Sequence, residues 1–365
     1  MSDKSVTPIP APDSDLDFGV AWHYGDPHRE QRLLLAGEAS VDMSHWGVVT
    51  VTGVDRLSWL HSLTTAFLDN LEPNISRIAL ILSPHGHVEQ ELHVVDNGDT
   101  TWLITPPNTA PALTDYLNSM RFMLRVEVTN VSDEFAVVWE PIREIDVGAV
   151  TWLTPDEFAG TTNSANTTNT ANTTNTANTT NTANTTNTAE GFVDKYVQAR
   201  PEVFVGRQVI VPRAMLGERL DQFPNRAGTW AYNAIRTAAA VPQLAHETDH
   251  KSLPHELGWI GSGVHLQKGC YRGQETIARV YNLGKPPRRL VLLHLDGSDS
   301  DLPAHGDEVT TAQGKVIGFI GTAARHFELG PIATAVIKRS TPTDETLHVL
   351  HEGNVITANQ EVVVL

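Results

Sequence analysis

The stretch Gln267-Lys268-Gly269-Cys270-Tyr271-Arg272-Gly273-Gln274-Glu275 holds the only cysteine of a 365-residue chain. Cys270 stands between Gly269 and Gly273, with Lys268, Tyr271 and Arg272 close by. Glycines let the backbone take turns closed to other residues and let a ligand come near. Neighbouring cations favour thiolate over thiol, which makes a cysteine a nucleophile, a redox centre or a metal ligand. A cysteine that only packs, as a small hydrophobe, would have apolar neighbours. The setting therefore predicts a chemical role for Cys270.

Just outside this stretch the charge is unusual. Between positions 268 and 289 lie six basic residues (Lys268, Arg272, Arg279, Lys285, Arg288, Arg289) and one acid, Glu275, inside a chain of formal charge -17. A basic island on an acidic background predicts focusing of an anionic ligand, such as a glutamate tail, a phosphate or an RNA backbone. Were the ligand RNA, Tyr271 and Tyr281 would supply stacking faces. The overall acidity argues against a general nucleic-acid or anionic-membrane binder.

One cysteine excludes an intrachain disulfide framework and suits a reducing compartment. Residues 1–20 open with Pro8, Pro10, Pro12 and several aspartates. They read as a disordered lead-in rather than a signal peptide. No run reaches the ~18 apolar residues of a membrane span, so the expected location is cytoplasmic.

Residues 166–189 are four copies of Asn-Thr-Thr-Asn-Thr-Ala. The unit has no apolar face beyond alanine and cannot offset its ordering entropy. The expectation is a low-complexity loop over 160–190 that interrupts a folded region spanning 21–285, since long loop insertions are thermodynamically tolerated. Around it, residues 48–52, 78–82, 92–95 and 101–104 read as strands, with strand also expected within 191–197 and 203–211. Helical spacing marks 55–63, 109–123, 215–223 and 229–240. From position 286 to 365, alternation and glycine turns at 290–295, 306–311, 315–320 and 334–337 predict a small antiparallel barrel. The fold class is α+β with a C-terminal β-barrel domain.

A competing signal is His246-Glu247-Thr248-Asp249-His250, an H-E-x-x-H pattern. On a helix this places two imidazoles on one face to bind zinc, with the glutamate as base. Pro242 and Pro254 leave little room for such a helix. Zinc hydrolysis through His246 and His250 stands as an alternative reading. His85 and His87, with His93 further on, read as turn polars rather than a metal set.

Longer segments carry a family likeness. Residues 268–275 resemble the K-G-C-Y-x-G-Q-E signature of the YgfZ group, within the larger family of the glycine-cleavage T-protein, the aminomethyltransferases. Val51-Thr52-Gly53-Val54-Asp55-Arg56-Leu57-Ser58-Trp59-Leu60 resembles the family's early V-x-G-x-D-R-x-x-F/W-L segment, and Leu82-Ser83-Pro84-His85-Gly86-His87-Val88 its L-T/S-P-x-G-x-V/I turn. Leu253-Pro254-His255-Glu256 resembles the I-P-H-E that precedes the cysteine motif.

The resemblance implies a multi-domain fold around a folate channel. It implies tetrahydrofolate or a folate derivative as cofactor, bound through Lys268, Gly269, Tyr271, Arg272, Gly273, Gln274, Glu275, Arg236 and Arg279, with Cys270 as the reactive thiolate. It also implies iron–sulfur enzymes or assembly factors as partners, with tRNA-modifying enzymes a further class. Two departures stand out. The acid pair that follows the turn in the aminomethyltransferases reads here as Gln90-Glu91, and the family's R-x-E-A-G reads Arg236-Thr237-Ala238-Ala239-Ala240. The implied function is a folate-binding accessory protein for iron–sulfur cluster assembly or repair. A folate-dependent aminomethyl or methyl transferase is the alternative.

Overall fold

A computed structural model describes residues 7–13, 15–158, 200–297 and 301–365. The repeat over 160–190 and the strand expected within 191–197 lie outside the described residues. The disorder expected for 1–20 does not hold for its described part. Ile9–Pro10 pairs antiparallel with Ala21–His23, and the Asp17 carboxylate is buried against His45 Nε2 (2.9 Å) and Asn233 Nδ2 (2.7 Å). Ala11 and Val20 are buried too. Three prolines made the segment look unstructured, yet a proline at a strand edge lacks only a donor the ladder does not use.

Six α-helices are present among the described residues: α1 (Pro27–Leu35), α2 (Arg56–Leu63), α3 (Ala110–Met120), α4 (Leu216–Leu220), α5 (Thr229–Ala238) and α6 (Gln274–Leu283). Local signals set their ends. Asp26 caps α1 by accepting from Arg29 N–H (2.9 Å), with Pro27 at the first helical position, where its missing donor is harmless. α6 starts after Gly273 and ends at Gly284, both left-handed at φ 83° and 86°; a glycine there is the ordinary helix stop. The helix expected over 215–223 shrinks to a 3₁₀ turn plus the five residues of α4.

Two five-stranded sheets face each other. One runs Val150–Leu153, Arg207–Pro212, Phe135–Glu140, Ala39–Asp42, Asn225–Ala227, and its last pair is parallel. The other runs Ser76–Leu82, Val88–Asp96, Thr100–Thr105, Gly47–Thr52, Glu127–Asn130, antiparallel throughout. The third unit is a closed six-stranded antiparallel barrel in the order Arg288–Leu295, Gly330–Lys338, Val316–His326, Glu308–Thr311, Leu347–His351, Asn354–Val362, the last strand pairing back to the first. The predicted barrel is thus present, with two C-terminal strands beyond the four that the sequence pattern marks.

Period-two alternation explains how these units share cores. In the second sheet Ile78, Leu80 and Leu82 face the centre of the molecule, while Ala79 and Ile81 face a separate core under α2 and α3. In the barrel, Leu290 and Leu292 join the central core, whereas Val291, Leu293 and Leu295 fill the barrel. Strands buried on both faces read as continuous apolar runs. α5 lies against the barrel strands Val316–His326 and Gly330–Lys338 and against α1, so sheets and barrel meet along it.

Candidate functional site

The central core is not completely filled. Aromatic side chains from the first sheet (Trp139, Trp152), α5 (Tyr232), a 3₁₀ turn (Phe158) and three loops (Trp46, Phe204, Trp259) enclose a cavity of about 30 Å³, with Glu91, His93, Gln208 and Arg236 as its polar wall. That volume admits two waters.

The strand Val88–Asp96 delivers the acid and the imidazole. Its alternation sends Leu92 and Val94 into the outer core and leaves Glu91 and His93 on the opposite face. His93 lies flat on Trp152, with ring centroids 3.9 Å apart and planes 6° apart. Its Nδ1 is 2.6 Å from Gln208 Oε1 and its Nε2 is 3.2 Å from Glu91 Oε1. The other Glu91 oxygen accepts from Leu244 N–H at 2.6 Å. A carboxylate has lone-pair capacity beyond two such bonds, so Glu91 can still accept from a ligand.

Arg236 stands one turn after Tyr232 on α5, so both reach the same wall. Burial pushes the Tyr232 phenol far up, keeping it neutral. Arg236 donates to Asn233 Oδ1, the Val241 carbonyl, Glu247 Oε2 (3.0 Å) and Thr322 Oγ1. Glu247 also accepts from Gln243 N–H and from the hydroxyls of Thr322 and Thr334, two barrel residues. Burial alone would raise the Glu247 carboxyl; the Arg236 charge, His246 and the two threonines outweigh it and hold it below its ordinary range. Arg236 therefore braces the cavity wall against the barrel, with most of its donors engaged inside the protein.

The same contacts correct the zinc reading. Residues 246–250 form turns, not a helix, and two imidazoles at i and i+4 share a face only on a helix. Glu247 is fully buried and held by Arg236, while His250 is exposed. Burial, then the Arg236 charge, brings His246 down to about 4, so it is neutral near pH 7. Among the described residues no group of three or more His, Cys, Asp or Glu side chains is placed to hold a metal.

The 268–275 loop lies apart from the cavity: of the predicted site residues only Arg236 lines it. Lys268 is buried, and its ammonium donates to the carbonyls of His61, Thr64 (2.5 Å) and Ala66 (3.0 Å) at the C-terminal end of α2. Those three bonds use all three ammonium donors, while burial brings the group down to about 8. Tyr271 packs into the central core, with the Lys268 ammonium 5.1 Å above its ring. Gly273 abuts the turn over 83–87: a Cβ there would come 2.6 Å from Ser83 carbonyl oxygen. Gln274 and Glu275 begin α6, where an acid suits the helix N-terminus, and Glu275, Arg279 and Lys285 are exposed.

The expectation that Lys268 and Arg272 polarise the thiol meets a different arrangement. Lys268 is turned to α2, and Arg272 pairs with Glu89 at 3.1 Å. Cys270 itself is exposed and free. The basic island is likewise partly neutralised. Arg288 is paired with Asp249 and Glu256, whereas Arg289 keeps its charge but is turned inward, donating to Thr341 carbonyl oxygen and Gln360.

Sequence reasoning missed His93, Gln208 and the cavity tryptophans as site residues. The one usable signal was alternation: once Glu91 is an inward acid, His93 must share its face.

Comparison with known proteins places this architecture. No family model matches the chain. An aminomethyltransferase of Thermoanaerobacter pseudethanolicus is 25% identical over 285 residues, covering 77% of this chain and 73% of its own length. A chloroplastic Arabidopsis thaliana protein named as a transferase is 24% identical over 306 residues, 81% of this chain, and the chain spans 65% of that relative's length. The tRNA-modifying protein YgfZ of Aliivibrio fischeri is 31% identical over 119 residues, 32% of this chain and 36% of its own. The crystal structure of the glycine cleavage system aminomethyltransferase T of Bartonella henselae superposes with a TM-score of 0.70 at 14% identity, over 97% of this chain and 92% of that one. The chain is homologous to the aminomethyltransferases and has their fold, and its likeness to YgfZ covers about a third of it. No helix among the described residues is long and apolar enough to cross a membrane.

Proposed function

We propose that the chain binds a tetrahydrofolate-type ligand in the central cavity and acts, through Cys270, as an accessory protein for iron–sulfur cluster assembly or repair. The observation that carries the folate part is the cavity itself: flat aromatic walls around a buried carboxylate, Glu91, with accepting capacity to spare. A pterin ring offers the matching pieces, a flat face for stacking and N–H donors for a carboxylate. A pterin is far larger than 30 Å³, so binding requires the aromatic walls to part. When bound, a reduced folate supplies one-carbon chemistry. This chain's residues would hold the ring (the tryptophans and Glu91) and keep the wall rigid (Arg236 with Glu247).

Calorimetric titration of the full chain with tetrahydrofolate and 5-formyltetrahydrofolate tests this reading. Glu91→Gln removes a charge-assisted acceptor and should weaken binding about 10- to 100-fold. Saturable binding that ignores Glu91, or no binding at all, would refute it.

The iron–sulfur part rests on the resemblance of residues 268–275 to the YgfZ signature and on the exposure of Cys270. One thiolate cannot hold a cluster, which takes about four, so Cys270 would act together with ligands from a partner. Anionic partners would meet the exposed Arg279 and Lys285, and tRNA-modifying enzymes are a further partner class that the YgfZ likeness suggests.

A second reading is supported by a specific observation. Glu91 brings to the cavity an acid at the position where the aminomethyltransferases carry their acid pair, and the likeness to those enzymes runs along most of the chain. Turnover of tetrahydrofolate with an aminomethyl or methyl donor would establish a transferase.

A further inference from the structure

A second cavity, of about 380 Å³, lies between the start of α1, the edge strand Asn225–Ala227 and the loop that precedes that strand. It shares no lining residue with the central cavity. Its volume falls within the range of small-molecule sites, about 300–1,000 Å³. Phe223, buried, and Tyr24, half-buried, give it an aromatic lining. Burial pushes the Tyr24 phenol up, so that side chain is neutral.

Charges of both signs border the same space. Asp221 and Arg226 pair with each other at 2.8 Å. Glu30 accepts from the N–H groups of Tyr24 (2.7 Å) and Gly228 (2.8 Å), one to each oxygen. Asp26 and Arg29 are different. One Asp26 oxygen accepts from Arg29 N–H at 2.9 Å, capping α1. The other has no donor among the described residues, and the Arg29 guanidinium has no acceptor there. Opposite charges three residues apart at a helix start can pair; this acid and this cation border open space instead. A plain anion would be drawn to Arg29 and repelled by Asp26, and a plain cation the reverse. A ligand that carries both signs meets both.

We propose that this cavity is a binding site for a small zwitterion with an apolar side chain, in the manner of a free amino acid. The ligand carboxylate pairs with Arg29, its ammonium with Asp26, and its side chain packs against Phe223 and Tyr24. Both polar contacts are charge-assisted hydrogen bonds. Deleting either ligand charge also leaves a protein charge facing an uncharged group, which sharpens discrimination. The site owes nothing to the folate reading.

The test is calorimetry on the full chain with leucine, phenylalanine, phenylalanine amide (no carboxylate) and 3-phenylpropionate (no ammonium). Leucine or phenylalanine should bind saturably, and each single-charge analogue should bind about tenfold or more weakly than phenylalanine. Arg29→Gln removes the cation at an exposed position, where substitutions seldom disturb folding. It should weaken phenylalanine about tenfold and leave the amide nearly unchanged, because the amide has no carboxylate for Arg29 to hold. Asp26→Asn keeps a good helix cap while removing the charge. It should weaken phenylalanine to a similar degree and spare 3-phenylpropionate. Arg121→Gln is the control, since Arg121 is exposed and outside the lining; it should change nothing. The inference is overturned if neither amino acid binds saturably up to about 10 mM. Equal affinity of wild type for phenylalanine and its amide also overturns it, as does an Arg29→Gln effect that is absent or the same for both. The wild-type comparison needs no variant, so a variant that fails to fold does not shelter the proposal. None of these results bears on the folate reading, whose cavity lies elsewhere.

Discussion

The cavity and the cysteine loop divide the molecule's chemistry in opposite ways. The loop is contiguous, eight residues from 268 to 275, and three of them do mechanical work. Lys268 caps α2, Tyr271 fills core, and Gly273 makes room for the neighbouring turn. Only Cys270 is left facing solvent as a reactive group. The cavity has no local signature, because its walls come from positions spread between Trp46 and Trp259. Its polar groups bond one another, as His93 does with Gln208 and Glu91, and at the same time border open space. A compact motif can therefore be specific to a family because it holds parts together, while the ligand-facing residues are scattered among ordinary strands.

The comparison predicts that damage to the cavity wall costs more than damage to the loop. The largest effect should come from Glu247→Ala, which leaves the Arg236 charge buried without its partner. Unpairing a buried ion pair costs about 3–5 kcal/mol, measured as a lowered urea midpoint. A change within about 0.5 kcal/mol, the range of surface substitutions, would show that the brace is dispensable.

Next comes a pH dependence. His246 is buried neutral, with its value lowered from 6.5 to about 4 by burial and by Arg236, and with Glu247, Asp17 and His305 also facing it. The unfolded chain takes up that proton more readily, so this stability is fully present above about pH 6.5 and is lost as pH falls toward 4. Its size is about 3 kcal/mol between pH 7 and pH 4. His246→Gln should flatten the pH profile by that amount relative to wild type, since the other titrating groups remain. Parallel profiles would mean that the ring is solvated in the folded state.

The smallest effects should separate residues within the loop. Lys268→Met strands buried carbonyls at the end of α2 and should cost about 1–3 kcal/mol, whereas Cys270→Ser, at an exposed position, should stay within about 0.5 kcal/mol. If Cys270→Ser also leaves iron–sulfur enzyme activity normal in cells that depend on this protein, the thiolate role is lost and the loop is purely structural.

Much of the fold was readable from pattern. The stretches at 55–63 and 109–123 carry helical spacing and become Arg56–Leu63 and Ala110–Met120. Alternation after position 286 becomes the barrel. The last two strands, Leu347–His351 and Asn354–Val362, went unread although buried Leu347, Val349, Ile356 and Ala358 alternate there with more exposed neighbours. What periodicity encodes is which face of an element is buried, because 2.0 and 3.6 residues per repeat are properties of the local backbone.

It does not encode what that face meets. That Glu247 would serve Arg236 and two barrel threonines instead of a zinc site, and that Lys268 would turn to α2 rather than to Cys270, depended on chain segments brought together from far apart. So did the aromatic side chains that line one cavity from positions as far apart as 46 and 259. Those partnerships exist only once the sheets and the barrel have closed around α5, since a buried polar group is placed by whichever distant partner can satisfy it.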